Sequence, residues 1–416
     1  MSIETFLRDI PLPKMIRVTQ RFRDAALQDV PQELSEQLRR PEIAMRVKKG
    51  MRIAVTVGSR GIDQPVPIVK TLVGQLEQLG AEPFIVPAMG SHGGATAEGQ
   101  VALLAGLGVS EESVGCPILS SMDTVTLGAL DNGLPVVMDS HAIRADGVVL
   151  LNRIKPHTGF SGEIESGLIK MLSIGLGKHK GAASCHALGY AHMCDNIVKM
   201  ARIILAKANI LFGVGTVENA YDKVARIVAI PATEIMEQEK QLLLEAKINM
   251  PRIFFSPLDV LVVDQMGKEY SGTGTDPSIT GRANTPYVHV SQKTSRLVIL
   301  DLSDKSKGNA AGIGLADVTT RRLFNKIDLE ATYINHLTST AISGAMIPMI
   351  MDNDRLAVQA ALHTCNVIDP AMRRVVRIPN TLQLGTIHIS ESLRNEAESH
   401  PDIAIESEAE DWHFNA

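Results

Sequence analysis

The segment Arg52-Ile53-Ala54-Val55-Thr56-Val57, which continues into Gly58-Ser59-Arg60-Gly61, indicates the fold of this chain. The five residues after Arg52 are apolar or β-branched, as in a buried strand, and the glycine-bordered residues that follow are typical of a loop. Helical spacing of apolar residues runs over 67–79 and stops at a glycine. A second short apolar run at 83–87 then leads into another glycine-rich loop, residues 90–96.

This alternation of strand, loop and helix predicts an α/β fold with mainly parallel sheets. Thr96 can cap the helix that follows it, and the strand pattern returns at residues 147–151, 258–264 and 296–302. In parallel sheets, ligands gather at the carboxyl ends of the strands. The two glycine-rich loops lie at such ends, so we expect them to line a site.

The second half of the chain is predicted with the same rules. Residues 185–208 have a helical pattern, and Asp352 or Asn353 can cap a helix that runs through Leu362. The tail from residue 391 onward is acidic and weakly apolar, so it is either partly disordered or returns through residues 403–405 as an edge strand. No internal repeat is visible.

Composition argues against several functional classes. A length of 416 residues suggests two domains, and 45% hydrophobic with 21% charged residues is ordinary for a globular protein. The net charge of −5 and the dispersed basic residues give no attraction to nucleic acid or anionic lipid, and 4% aromatic residues disfavour base stacking. The start of the chain lacks a signal-peptide pattern, and no apolar stretch is long enough to span a bilayer. We therefore expect a cytoplasmic protein without nucleic-acid or membrane partners.

The four cysteines are scattered, with no CxxC spacing, which disfavours a disulfide framework or a structural zinc site.

Two histidines in glycine-bordered loops are candidates for acid/base chemistry. His92 lies between Ser91 and two glycines, which let the backbone approach a ligand closely. His157 follows Lys155-Pro156, and the proline presents it rigidly. Histidine titrates near neutral pH, which suits proton transfer. Each histidine alone is equally compatible with a turn or surface role.

Further candidates lie along the same chain segment and beyond it. Lys170 sits in an apolar stretch, where it either extends its ammonium to solvent or is desolvated and becomes a nucleophile or cofactor anchor. His186 has no second ligand at metal-binding spacing, so a zinc site made by protein side chains alone fits poorly. Arg60 could bind a carboxylate or phosphate. Lys268 and Arg282 border a second polar, glycine-rich loop that could hold an anion. The glycines of 306–314 do not have dinucleotide-binding spacing.

Taken in order, these residues resemble the lactate racemase family, whose members use a nickel-pincer nucleotide. The landmarks are Ser59-Arg60, Gly90-Ser91-His92, Lys155-Pro156-His157, Lys170 and His186. They span about the first half of the chain, and the similarity continues more weakly through residues 267–282. The ordered set is specific, although each motif alone is weak.

The resemblance implies a cofactor and its binding residues. The cofactor is nickel pyridinium-3,5-bisthiocarboxylic acid mononucleotide, which holds nickel through one carbon and two sulfurs. His186 takes the position of the fourth nickel ligand, and Lys170 that of the lysine joined to the cofactor in the type member. Ser59 and Arg60 are expected to contact the cofactor, and Arg60 either the cofactor phosphate or the substrate carboxylate. Proteins that build and deliver the cofactor are implied partners.

The resemblance also implies the reaction, which is racemisation or epimerisation of a small-molecule 2-hydroxy acid. His92 and His157 match the paired acid/base residues: one takes the hydroxyl proton, C2 is oxidised by reversible hydride transfer, and the other histidine protonates the oxygen on the opposite face. Lys268 or Arg282 stands in for the family's substrate-binding lysine.

The sequence departs from the family at several positions. Val57 replaces an aspartate, and Gly93 stands where lactate-acting members often have arginine. The segment between His157 and Lys170 is slightly longer and carries Glu163 and Glu165. These changes put lactate itself in doubt as the substrate. They leave two alternatives open: a hydroxy acid dehydrogenase or dehydratase on the same scaffold, and a cofactor- or anion-binding homologue without turnover.

For the architecture, the resemblance implies two α/β domains with the active site in the cleft between them. We expect a discontinuous first domain of residues 1–88 with about 255–290, and a second domain of 89–254 with about 291–416. The chain crossings near 87 and 264–282 would then act as hinges.

Overall fold

The computed structural model describes residues 2–59 and 61–414. In chain order the strands are β1 (Met15–Gln20), β2 (Arg52–Val57), β3 (Glu82–Pro87), β4 (Thr124–Ala129), β5 (Pro135–Asp139), β6 (Gly147–Arg153), β7 (Ile210–Glu218), β8 (Val224–Pro231), β9 (Leu258–Met266), β10 (Thr294–Leu302), β11 (Val318–Thr320), β12 (Met349–Met351), β13 (Val375–Ile378), β14 (Thr386–Ser390) and β15 (Ile403–Ile405).

The α-helices in the same order are α1 (Ile3–Leu7), α2 (Val30–Arg39), α3 (Pro41–Ala44), α4 (Pro65–Gln78), α5 (Ala97–Gly106), α6 (Glu111–Val114), α7 (Ser140–Arg144), α8 (Leu168–Lys170), α9 (Lys178–His186), α10 (Met193–Lys207), α11 (Ile235–Asn249), α12 (Pro277–Thr280), α13 (Arg321–Asn325), α14 (Leu329–Ser339), α15 (Asp354–Thr364) and α16 (Arg394–Ser399). A π-helical turn, Met171–Gly175, directly continues α8.

The chain forms two compact units, Arg23–Met250 and Met1–Phe22 with Pro251–Ala416. The first unit contains a five-stranded sheet in the order β3-β2-β6-β7-β8, in which only β8 is antiparallel to its neighbour. Both faces of this sheet are covered: Val55 belongs to one apolar core and Ala54 to the other. That explains the unbroken apolar run of β2, because parallel sheets are buried on both faces. A separate hairpin of β4 and β5 belongs to this unit.

The second unit contains an eight-stranded sheet in the order β12-β11-β10-β9-β13-β14-β1-β15. The strands from β12 to β13 are parallel, and β14, β1 and β15 continue the sheet in antiparallel fashion. Apolar cores cover both faces of β9, with Leu261 on one side and Val262 on the other. The predicted α/β class with mainly parallel sheets is therefore confirmed.

The observed division into units differs from the expected one. β2 pairs with β6, so residues 52–87 share a sheet with residues 147–231 instead of forming a domain that ends at 88. β9 pairs with β10 and β13, so it does not return to the sheet that contains β2. Strand pairing joins segments far apart in sequence, and the local patterns that place each strand carry no information about its neighbour.

Several local predictions agree with the structure. The side chain of Thr96 accepts a hydrogen bond from the N–H of Gly99 and caps α5, and Asn353 in the same way caps α15. The acidic tail does return as an edge strand, β15. The predicted helix over 185–208 is instead broken between α9 and α10, where Gly189 has a φ of 70°. None of the helices within residues 2–59 and 61–414 has the length and apolar character that crossing a membrane requires.

Candidate active site

Three predicted site residues meet at one edge of the five-stranded sheet. Ser59 follows β2, His92 follows β3 and His157 follows β6, all at the carboxyl ends of parallel strands. Because β2 lies between β3 and β6, the parent strands of the two histidines are about 10 Å apart. The chain passes from β3 to the other side of β2 to form β6, which makes the gap between β2 and β6 a switch point where open α/β sheets bind ligands.

His92 is exposed and is held by a hydroxyl and by its own backbone. Its Nδ1 forms a hydrogen bond with the Oγ of Ser59. A hydroxyl can donate or accept, so Ser59 can serve either protonation state of His92. The buried Gln100 donates from Nε2 to the carbonyl oxygens of Gly90, at 2.9 Å, and of His92, at 3.4 Å. Gln100 therefore holds this loop on α5.

A buried ion pair supports Gln100. The Nζ of Lys178 donates to the Oε1 of Gln100 at 3.0 Å and lies 3.3 Å from the Oδ2 of Asp139. Both charged side chains are fully buried. Burial lowers the pKa of Lys178, and the Asp139 carboxylate counteracts this. The ammonium also donates to the carbonyl of Pro87 at the end of β3, so one cation connects β3, α5 and the hairpin strand β5.

The helix that carries Lys170 packs against the His92 loop. The N–H of Gly90 donates to the carbonyl oxygen of Gly175, at the end of the π turn, at 3.2 Å. A Cβ at Gly175 would lie 2.7 Å from the carbonyl oxygen of Ala88, so a side chain there would force the backbones apart. The glycine therefore brings the π turn after Lys170 close to the loop that holds His92.

His157 is half-buried and its loop is tied to a buried carboxylate. Its backbone N–H donates to the Oε2 of Glu165 at 2.7 Å. The N–H of Gly159 donates to the Nδ1 of His157 at 2.9 Å, so the neutral imidazole carries its proton on Nε2. The ring lies against Phe160, with centroids 4.5 Å apart.

Tyr190 connects His157 with His186. Its ring is 6.4 Å from the His157 ring and meets the His186 ring edge-on at 5.6 Å. The chain reverses at Gly189, which lets Tyr190 return beside His186 instead of continuing α9. The structure therefore brings an expected acid/base histidine and the expected nickel ligand close to one aromatic ring.

The Nδ1 of His186 is buried and has no hydrogen-bond partner among the described residues. Burial, with the Lys170 ammonium as second cause, lowers the pKa of His186 to about 4. His186 is therefore neutral at physiological pH, which is the form that binds metals. Within residues 2–59 and 61–414, no group of three or more His, Cys, Asp or Glu side chains could hold a metal ion. A neutral imidazole whose Nδ1 has no hydrogen-bond partner in the described part of the chain, beside a half-buried lysine, fits a single protein ligand to a cofactor-bound metal.

Helix α11 anchors two segments of the site. The Nζ of Lys247 lies 2.6 Å from the Oε1 of Glu165, which holds the His157 loop. The Oε2 of Glu239 accepts a hydrogen bond from the N–H of Ile169 at 2.9 Å, at the start of the helix that carries Lys170. Burial raises the pKa of Glu239 to about 8. One helix thus supports both the expected acid/base loop and the expected cofactor lysine.

Replacing Gly159 with alanine is expected to destabilise this cluster. The new Cβ would lie 2.4 Å from the Cε1 of Tyr190, so the ring that lies near both His157 and His186 must move. Such overpacking costs about 1–3 kcal/mol, which chemical denaturation can measure. Gly74→Ala is the control, because a Cβ there meets nothing within 4 Å and the residue lies inside α4. Equal stabilities of the two variants would contradict this packing.

The two cations that were suggested to bind the substrate lie at opposite ends of the strands of the eight-stranded sheet. Lys268 follows β9 at its carboxyl end, where its Nζ donates to Gly272 and to the Oδ1 of Asn335, both at 2.7 Å. The Nη2 of Arg282 instead donates to the carbonyl of Ser295, at 2.6 Å, and to Asp317. Ser295 stands at the amino end of β10, which is parallel to β9. Of these two cations, Lys268 is therefore the one at the carboxyl ends of the strands. Arg60 lies outside the described residues.

The sequence analysis missed several residues that build the site: Gln100, Glu165, Lys178, Tyr190, Glu239, Lys247 and Asn335. For some a local signal existed. Lys178 follows the uncharged run 171–177, and Tyr190, one of five tyrosines, comes directly after a glycine four residues beyond His186. Glu165 and Lys247 have no such signal, because their partnership joins residues 82 positions apart.

The chain is similar to known proteins in its N-terminal sequence and in its fold. Residues 5–193 match the lactate racemase N-terminal domain family. The fold is similar to that of the lactate racemase apoprotein from Thermoanaerobacterium thermosaccharolyticum, with a TM-score of 0.52 and 13% sequence identity over 89% of this chain and 99% of that chain. No curated protein sequence matches the chain. The family match therefore covers the N-terminal part of the chain, and the similarity to the solved lactate racemase is one of fold.

Proposed function

We propose that this protein is a racemase or epimerase of a 2-hydroxy acid that works with a nickel-pincer nucleotide. The observation that carries the proposal is that His92 and His157 follow the strands on either side of β2. The π turn after Lys170 contacts the His92 loop, and Tyr190 lies near both His157 and His186. A racemase needs acid/base groups on both faces of one carbon. Histidines that follow strands about 10 Å apart can lie on the two sides of a small acid.

His186 and Lys170 are the residues that would hold the cofactor. The buried Nδ1 of His186 is unpartnered among the described residues and its imidazole is neutral, so it can donate a lone pair to nickel. When bound, the cofactor would supply a reversible acceptor for the hydrogen and electron pair of C2. Tyr190, edge-on to His186, orients the imidazole.

The chain's own residues would then handle the proton. One of the two histidines takes the proton of the substrate hydroxyl, and the other returns a proton to the same oxygen after the planar keto acid has turned. Ser59 suits His92 to this exchange, because its hydroxyl accepts from Nδ1–H or donates to bare Nδ1. For His157 to accept a proton at Nε2, Nδ1 must become protonated and give up the hydrogen bond from Gly159. The hydrogen bond from Gly159 therefore has to open during proton transfer.

The first experiment is to produce the protein in a host that also makes the pincer nucleotide, and to measure intact mass and nickel content. We expect a mass increase equal to the cofactor and about one nickel per chain, the stoichiometry of a single site. A panel of chiral 2-hydroxy acids then identifies the substrate. Absence of both nickel and adduct, in a host shown to load another family member, would overturn the proposal. A keto acid or dehydrated product would favour the dehydrogenase or dehydratase alternative, and cofactor without turnover the binding alternative.

Replacing Lys268 with glutamine is expected to raise the KM for the hydroxy acid about 10- to 100-fold. This is the loss of affinity expected when one charged hydrogen bond to the substrate carboxylate is removed. Arg282→Gln is the comparison, because Arg282 is engaged by Asp317 and Ser295. That variant should keep its KM and lose about 1 kcal/mol or less of stability. Steady-state kinetics of both variants decide between the two cations, and an unchanged KM in Lys268→Gln would exclude Lys268.

This proposal requires two kinds of partner: a small-molecule 2-hydroxy acid as substrate, and proteins that build and deliver the cofactor.

A further inference from the structure

Glu165 is a buried carboxylate at the centre of the His157 loop. It is 1% exposed, and its Oε2 accepts the backbone N–H of His157 at 2.7 Å. Its Oε1 accepts the backbone N–H of Gly162 at 3.1 Å. The two bonds reach both ends of the segment from residue 157 to 162, so the carboxylate closes the loop around itself. A charged acceptor makes such bonds stronger than a neutral one.

Two further contacts fix the place of Glu165 in the fold. The backbones of Lys155 and Ser166 exchange hydrogen bonds of 2.8 and 3.2 Å, which join the two arms of the loop just outside it. The Nζ of Lys247, from α11, lies 2.6 Å from Oε1. Breaking a buried ion pair leaves an uncompensated charge, so Lys247 is needed to keep the carboxylate in place.

The neighbouring Glu163 shows that an ion pair to α11 alone is not enough. Glu163 pairs with Lys240 of the same helix at 2.9 Å, but its side chain is 79% exposed and no backbone N–H of the His157 loop is bound to it in the described structure. The two glutamates are two residues apart and differ in burial and in their bonds to the loop. Glu163 is therefore a matched control for Glu165.

We propose that Glu165, held by Lys247, is the positioning residue that fixes the place of His157 in the site. This inference rests on the proposed acid/base role of His157. Glu165 does not touch the substrate. It acts by fixing the backbone from which the imidazole projects, at His157 and at Gly162.

The test compares Glu165→Gln with Glu163→Gln in the full-length protein. In Glu165→Gln the neutral amide cannot replace a carboxylate that accepts from two N–H groups and an ammonium. On the cofactor-loaded enzyme we expect kcat to fall about 100-fold with little change in KM, because a displacement of about 1 Å is enough for that loss. Glu163→Gln should keep both constants. Lys247→Met should lower kcat as Glu165→Gln does, and Lys247→Arg should restore it. The two Lys247 variants keep the proposal testable if Glu165→Gln does not fold.

A second readout is independent of cofactor and turnover. Diethyl pyrocarbonate modifies unprotonated imidazole nitrogens, and peptide mass mapping gives the rate at His157. In the wild type Nδ1 is covered by the N–H of Gly159 and Nε2 carries the proton, so modification should be slow. Glu165→Gln should raise the rate of modification at His157 about tenfold, because the loss of one charged hydrogen bond lets the loop open more often. Glu163→Gln should leave this rate unchanged.

The two readouts separate failure of this inference from failure of the proposed function. If the loaded wild type isomerises no hydroxy acid, the proposed function fails, and the rate of modification at His157 still decides whether Glu165 positions the loop. Equal modification rates in Glu165→Gln and wild type would overturn the positioning role. So would an equal loss of kcat in Glu163→Gln, because the effect would then not come from the buried carboxylate.

Discussion

Lys178→Met is expected to lower the free energy of unfolding of the 23–250 unit by about 3–5 kcal/mol. The substitution removes the ammonium from a fully buried ion pair and leaves the Asp139 carboxylate in an apolar core without its counter-ion. It also removes the donor that holds Gln100, which in turn holds the His92 loop. Chemical denaturation followed by circular dichroism measures the change.

The control for this prediction is Lys180→Met, two residues along α9, where the side chain is exposed and a change within about 0.5 kcal/mol is expected. The double variant Lys178→Met, Asp139→Asn should recover part of the loss, because the amide oxygen can still cap α7 without carrying a charge. Equal stabilities of Lys178→Met and Lys180→Met would contradict the buried pair.

His92→Ala and His157→Ala are each expected to lower kcat/KM for isomerisation about 10²- to 10⁴-fold, the usual contribution of a general acid or base. His92 is exposed and His157 half-buried, so neither change should unfold the protein. A chiral assay of the cofactor-loaded variants, with circular dichroism to confirm folding, measures the effect.

His179→Ala serves as the control for both, since His179 is exposed on α9 and should leave activity unchanged. Full activity in either His92→Ala or His157→Ala would remove that residue from the mechanism. A loss in one variant only would mean that a single histidine serves both faces of the substrate.

The local parts of the fold could be predicted from the sequence because each rests on neighbouring residues. The strand at 52–57 is visible as a continuous apolar run, since a parallel strand is covered on both faces. Thr96 as the cap of α5 follows from one side chain and the helix after it. The prediction of an unbroken helix over 185–208 was wrong, because the left-handed φ of Gly189 interrupts the helix despite the helical spacing of the residues around it.

The non-local parts could not be predicted in this way. Ser59 and His92 were singled out separately, but their hydrogen bond depends on the pairing of β2 with β3. The role of Glu165 depends on its burial and on a partner 82 positions away, which the residues around it do not reveal. The division into units depends on which strands pair. The sequence of β9 predicts a buried strand but does not indicate which sheet that strand joins.

Helix α11 has a consequence for how the site responds to thermal motion. It touches the His157 loop through Lys247 and the start of the Lys170 helix through Glu239, and these two residues lie on one continuous helix. A helix moves much as a rigid rod, so a small displacement of α11 carries both segments in the same direction. Such a displacement therefore changes the distance between the His157 loop and the Lys170 helix less than it changes the position of either segment. An insertion inside α11 would break this shared motion even if every contact survived.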